Sequence, residues 1–234
     1  VSQPPVPRWG LGEVAVGMLL SQAASFVVSV LVFAAAGWTS IAEVPLWAGA
    51  VLQVPLWAGW TVAVVLAGRK GGGWVRDFGF HLRPIDAPVG LGLGVAMQLV
   101  VLPLVYVPVL RILDRSPEEL SAPARELTDK AQGPVGWAVL TLIVVVGAPV
   151  FEELFYRGLL LGALRKRGHS TAASVLASSA LFAAMHLQSL QFLGLFLLGA
   201  VLSLLVVRTR RLGPAIMAHA GFNATTVLVL YLSS

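Results

Sequence analysis

Residues 135–164 read VGWAVLTLIVVVGAPVFEELFYRGLLLGAL, thirty residues in which the only charges are Glu152, Glu153 and Arg157. At ~1.5 Å per residue the run covers about 45 Å as a helix, more than the ~30 Å hydrocarbon core of a bilayer, and Pro149 predicts a kink within it. Working outward, six further apolar runs cover roughly 14–36, 41–67, 89–113, 171–188, 190–207 and 214–232, the runs 171–188 and 190–207 being only just long enough to cross. The whole chain, 234 residues, is 57% apolar and 12% charged. A soluble domain carries about 25% charge, so a soluble enzyme, a coiled coil and a disordered chain are excluded. The runs are continuous instead of alternating, which excludes a β-barrel. The expected fold is all-α: a polytopic transmembrane helix bundle of about seven spans. The absence of cysteine removes disulfide and thiol chemistry.

Charge orients the bundle. Arg69, Lys70, Arg76 and Arg83 follow the second span, Arg165, Lys166 and Arg167 the fourth, and Arg208, Arg210 and Arg211 the sixth, while 114–134 holds Asp114, Glu118, Glu119, Glu126 and Asp129. In a seven-span alternation all the strongly basic loops fall on one side. The positive-inside rule then predicts a cytoplasmic N-terminus, an external C-terminus and an external 114–134, with the cell membrane as location. The net charge of +5 is therefore read as loop charge, and no nucleic-acid partner is expected. The first span ends in Ala34-Ala35-Ala36, as a signal peptide can, but its apolar run is longer than a usual signal core and only Arg8 charges its flank, so an uncleaved span is expected.

Residues 1–134 read as N-terminal membrane helices with a cytoplasmic interfacial segment at 69–88, where Gly71-Gly72-Gly73 precedes Trp74, Phe78 and Phe80. Residues 135–232 read as the chemical core, and together the two form one membrane domain. VPLWAG occurs at 44–49 and again at 54–59, but a ten-residue offset turns about 280° on a helix, so the copies do not share a face. Gly90, Gly92 and Gly94 lack the strand and spacing of a dinucleotide fingerprint. Gly158 and Gly162 read as helix packing.

The chemistry lies in what is polar at membrane depth. Glu152, Glu153 and Arg157 are on the fourth span, His186 on the fifth, His219 and Asn223 on the seventh. A charge at such depth costs at least about 2.5–3.5 kcal/mol, so it is paired or functional. Glu153 and Arg157 are i, i+4 and can pair; Glu152 is turned about 100° away. His219 and Asn223 share a helix face, and Phe182 and His186 repeat that spacing. Glu152 and His186 lie about 20 Å and 24 Å from the 165–170 turn, at nearly one level; His219, about 8 Å past Pro214, is too shallow unless the 208–213 turn dips. Singly, each group has an ordinary structural reading: an ion pair, a satisfied histidine, a packing ring, an interhelical hydrogen bond. Together, carboxylate, imidazole and amide from three helices can activate water and hold an oxyanion, or ligate a metal.

Glu152-Glu153-Leu-Phe-Tyr-Arg157, Phe182-Ala-Ala-Met-His186 and His219-Ala-Gly-Phe-Asn223 give EExxxR, FxxxH and HxxxN in order. In this the chain resembles the CPBP family, the type II CAAX prenyl endopeptidases and bacterial Abi-type intramembrane proteases, over about 135–232. The resemblance implies an intramembrane endopeptidase acting on a membrane-associated protein or peptide. It implies Glu152 as general base with His186, His219 and Asn223 at the oxyanion, and Glu153 and Arg157 as a brace. It leaves the cofactor open between none, which is slightly preferred, and zinc, for which Glu152, His186 and His219 would be the ligands; HExxH is absent. Two other classes compete: a non-catalytic Abi-like immunity or scaffolding protein, and a proton-coupled transporter, against which no inverted repeat is found.

Overall fold

The computed structural model describes residues 8–233, so the first seven residues of the 1–134 half, with the N-terminus assigned to the cytoplasm, lie outside the described residues. The described chain is helical, with no strand: α1 (Leu11–Ala36), α2 (Leu46–Arg69), α3 (Trp74–Phe78), α4 (Asp86–Leu113), α5 (Pro117–Asp129), α6 (Gly133–Lys166), α7 (Thr171–Ala184), α8 (Phe192–Thr209) and α9 (Gly213–Ser233). Six of these, α1, α2, α4, α6, α8 and α9, are long and apolar enough to cross a membrane. The remaining expected span, the fifth, is α7, apolar but only 14 residues long. It stops at Ala184, before the expected 188, and a turn carries the chain to α8.

Between apolar helices in lipid there is little hydrophobic drive, so small residues that let backbones approach matter most. Here α1 and α2 close on each other through Gly17, Ser21, Gly59 and Ala63; a Cβ on Gly59 would sit 2.5 Å from that of Ser21. The closest approach is between α4 and α9, where a Cβ on Gly94 would sit 2.1 Å from the Ala218 carbonyl oxygen. That contact accounts for Gly94. Gly158 and Gly162 on α6 receive Phe78 and Trp9 respectively. Side chains such as Phe26, Leu31, Leu104 and Ile112 are exposed, as lipid-facing residues would be.

The basic loops meet at one end of the bundle. Arg8 N–H donates to the Lys70 carbonyl, the Lys166 ammonium donates to the Trp9 carbonyl, and Leu212 N–H donates to the Gly79 carbonyl at 2.8 Å. Arg211 and Asp86 form an ion pair at 2.6 Å. Within segment 69–88, Phe78 is 3% exposed and packs on Trp9 at 5.0 Å. Leu212, Gly213, Pro214, Ala215 and Ile216 are all buried beneath this segment, so α9 begins inside the bundle and His219 reaches the depth its sequence position alone would deny it.

At the opposite end the acidic loop folds into α5. Its start is a capping box in which Ser116 Oγ accepts from Glu119 N–H and the Glu119 carboxylate accepts from Ser116 N–H. The Arg115 guanidinium on Glu119 also holds that carboxyl below its usual range. Lys130 reaches the Ile41 carbonyl, and Gln191 reaches the Leu120 carbonyl.

Candidate active site

Three stretches of π-helix lie in the spanning helices: Met97–Val101 in α4, and Leu142–Gly147 and Glu153–Leu160 in α6. Such i→i+5 turns loosen the normal ladder, are common at functional sites, and in a membrane need neighbours to satisfy freed carbonyls. Two side chains do so here. Asn223 on α9 donates its amide to the Val144 carbonyl at 2.7 Å, and Ser178 on α7 donates its hydroxyl to the Tyr156 carbonyl at 3.1 Å.

Every residue of Glu153–Leu160 is buried. Glu153 and Arg157, both with side chains 0% exposed, pair at 2.9 Å. The same carboxylate oxygen, Glu153 Oε1, also takes Nδ1–H of His219 at 2.8 Å. The brace and the histidine of α9 are thus one unit. The other edge of that imidazole, Nε2, lies 3.9 Å from Oε2 of Glu152, beyond hydrogen-bond reach. Two carboxylates adjacent in sequence therefore flank one ring. Oε1 of Glu153 is tied by two donors, whereas Glu152 has no hydrogen bond among the described residues; Oε2 of each glutamate is buried without a partner.

Phe182 is the hub. Fully buried, it carries the Arg157 guanidinium over its face at 4.3 Å and meets the rings of His186 and His219 edge-on at 4.7 and 5.8 Å. His186 lies in the turn just past α7, half-buried, with Nδ1 2.8 Å from the Phe182 carbonyl. A carbonyl only accepts, so Nδ1 carries the proton and Nε2 is left as the acceptor of the neutral ring. No hydrogen bond or ion pair joins His186 to Glu152 among the described residues; Phe182 is what brings the two histidines together. The turn is fixed from α4: Tyr106, 3% exposed, donates its hydroxyl to the Leu190 carbonyl and accepts from Gly194 N–H, both at 2.9 Å.

The structure thus gathers Glu152, Glu153, Arg157, Phe182, His186 and His219, while Asn223 lies one turn further along α9, bonded to α6. Sequence reasoning treated Phe182 as packing and did not pick out Tyr106 or Ser178. The Phe182–His186 spacing was a usable signal for the first; the others carry none. A zinc ion would draw on Glu152, His186 and His219. Among the described residues no group of three or more His, Cys, Asp or Glu side chains is arranged to hold a metal ion, although both histidines have Nδ1 engaged and Nε2 open, the state in which a histidine ligates a metal.

A helix bundle of spanning length with a charged cluster sealed in its interior is an integral membrane protein built around a polar site. The family whose model is described as type II CAAX prenyl endopeptidase Rce1-like matches residues 134–225, which take in α6 from its second residue, all of α7 and α8, and α9 past Asn223. The resemblance carried by the three motifs therefore holds over the stretch that bears them, and that family is one of proteases. No curated protein and no solved structure matches the chain.

Proposed function

We propose that the protein is an intramembrane endopeptidase that hydrolyses a peptide bond in a membrane-associated protein or peptide, with Glu152 as general base. The observation that carries this is the unequal state of the two glutamates. Paired titratable groups with different surroundings take different roles. Oε2 of each glutamate is buried and unpartnered, but Oε1 of Glu153 is tied to Arg157 and His219, whereas no hydrogen bond reaches either oxygen of Glu152 among the described residues.

A water between Glu152 and Nε2 of His186 donates a hydrogen bond to that nitrogen, which orients it and leaves that proton on the water. Glu152 takes the other proton as the water oxygen bonds to the scissile carbonyl carbon. The oxyanion is met by the second amide hydrogen of Asn223, the first being given to Val144, and by Nε2 of His219 in its doubly protonated form, since Nδ1 is committed to Glu153. Glu152 then passes its proton to the departing amine nitrogen as the C–N bond breaks. Glu153 and Arg157 are positioning residues, because they act through His219.

The test is turnover of a peptide library by the purified protein. Glu152→Gln is expected to remove nearly all activity while leaving the melting temperature near wild type. Asn223→Ala should keep a residual rate, about 10²–10³-fold down. Full turnover by Glu152→Gln sinks the reading. Stoichiometric zinc, with activity lost to chelator and restored by zinc, replaces this scheme with a metal-dependent one. The basic end is proposed to face the cytoplasm, which His169→Cys in the otherwise cysteine-free chain reports: labelling from outside intact cells overturns it.

A further inference from the structure

We propose that the basic end of the bundle holds a binding site for the phosphate of an anionic phospholipid headgroup, seated where α1 begins and α2 and α6 end. A cleft of about 640 Å³ there is lined by Arg8, Arg69, Lys70 and Gly71. It is joined through Arg8 to a second, of about 370 Å³, whose lining includes Trp9, Gly12, Lys166 and Arg167. The cations come from positions far apart in the chain and are brought together by the fold. The Arg8 N–H bond to Lys70 and the Lys166 contact with the Trp9 carbonyl and ring fasten the three elements to one another.

The carboxylates that face the cleft are already engaged. Glu13 is paired with Lys70 at 2.6 Å and accepts from Gly10 N–H. Asp77 accepts from the Trp9 indole and from Gly72 N–H. Arg8, Arg69 and Arg167 are exposed, and their guanidinium groups have no hydrogen bond or ion pair among the described residues. Arg8, in the bend before α1, lines both clefts, Arg69 at the end of α2 lines the first, and Arg167 just past α6 lines the second; such planar forks suit the oxygens of a phosphate, which arginine holds through paired donors. The N-terminus of α1 adds its partial positive charge on the same side.

A lipid is favoured over a soluble phosphate by what lies next to the cleft. The ends of spanning helices place it at headgroup level, and basic pockets between such helices suit anionic headgroups. Directly above it along α1, Val16, Leu19 and Leu20 are 54%, 70% and 64% exposed, an apolar track on which acyl chains can lie. This site is independent of the peptidase reading and stands or falls without it.

The experiment is thermal melting and native mass spectrometry of the full chain in detergent, titrated with phosphatidylglycerol, phosphatidylcholine or inorganic phosphate. Phosphatidylglycerol is expected to raise the melting temperature by several degrees and to stay bound at about tenfold lower concentration than phosphatidylcholine, with inorganic phosphate giving no shift. The triple variant Arg8→Gln, Arg69→Gln, Arg167→Gln should lose that preference with its lipid-free melting temperature unchanged. Should the triple variant fail to fold, Arg69→Gln alone should weaken phosphatidylglycerol binding several-fold. Arg208→Gln with Arg210→Gln, at the same end but outside the cleft, should bind as wild type does. Equal retention of the two lipids, an equal shift with inorganic phosphate, or equal losses in the cleft and Arg208/Arg210 variants would each overturn the proposal.

Discussion

Two arginine–carboxylate pairs anchor this protein, and they are built differently. In the site, Glu153 and Arg157 are one turn apart on α6 and wholly sealed, and Nε and Nη2 of Arg157 and Oε2 of Glu153 have no hydrogen-bond partner among the described residues. At the basic end, Asp86 and Arg211 are 125 residues apart, and Asp86 also accepts from Arg83 N–H, while Arg211 remains 16% exposed. The first pair is short-range and fully sealed from solvent; the second is long-range, with Arg211 16% and Asp86 2% exposed. A local pair in apolar surroundings costs more to leave half-made than it contributes when whole, so its value lies in what it positions, here His219. The long-range pair closes the α8–α9 turn onto the start of α4, and so helps set where α9 begins.

That contrast makes Arg157→Ala the most damaging single change of the two pairs. It leaves Glu153 a buried carboxylate with only His219 against it, and breaking such a pair typically costs about 3–5 kcal/mol. Melting in detergent should show a large loss, and Glu153→Leu with Arg157→Met should recover stability without recovering turnover. A wild-type melting temperature for Arg157→Ala would erase the distinction between the pairs. Arg211→Ala should cost less, about 1–3 kcal/mol, because Asp86 keeps the Arg83 backbone donor. If the two alanine variants melt alike, that backbone donor is not what separates the pairs.

The smallest effect sharpens the comparison from outside both pairs. Tyr106→Phe removes a hydroxyl that serves Leu190 and Gly194 without touching either ion pair, and should cost about 1 kcal/mol. Because the turn it fixes holds His186, turnover should fall several-fold with little change in KM. A variant that loses stability but no turnover would show that the turn does not depend on Tyr106 for its geometry.

How much of this was legible from sequence follows the same division. The spans were plain because apolar runs announce them, and Glu153–Arg157 was plain because i, i+4 is a property of one helix. The Glu153–His219 bond was not, since it depends on how α6 and α9 are rotated against each other. Asp86–Arg211 was hidden because nothing in either loop names its partner. The π stretches left no mark either: Leu142–Gly147 is as uniformly apolar as an ordinary span. The end of α7 was misplaced because Met185-His186-Leu187 continues the pattern with no glycine or proline to stop it, and Leu187 turns the chain with φ 55°, a conformation unusual for leucine. His219 looked too shallow because the burial of the 212–216 segment is decided by Phe78 and Gly79, more than a hundred residues earlier.

The shortness of α7 has a consequence for the surrounding bilayer. Fourteen residues rise about 21 Å, so beside α7 about 9 Å of a ~30 Å hydrocarbon layer has no helix from this segment to match it. Leu187, in the turn just past α7, is 90% exposed. Hydrophobic mismatch of this kind is relieved by lipid thinning next to the short element. With the membrane thinned there, the half-buried imidazole of His186 is expected to lie closer to bulk water than beside a full-length span.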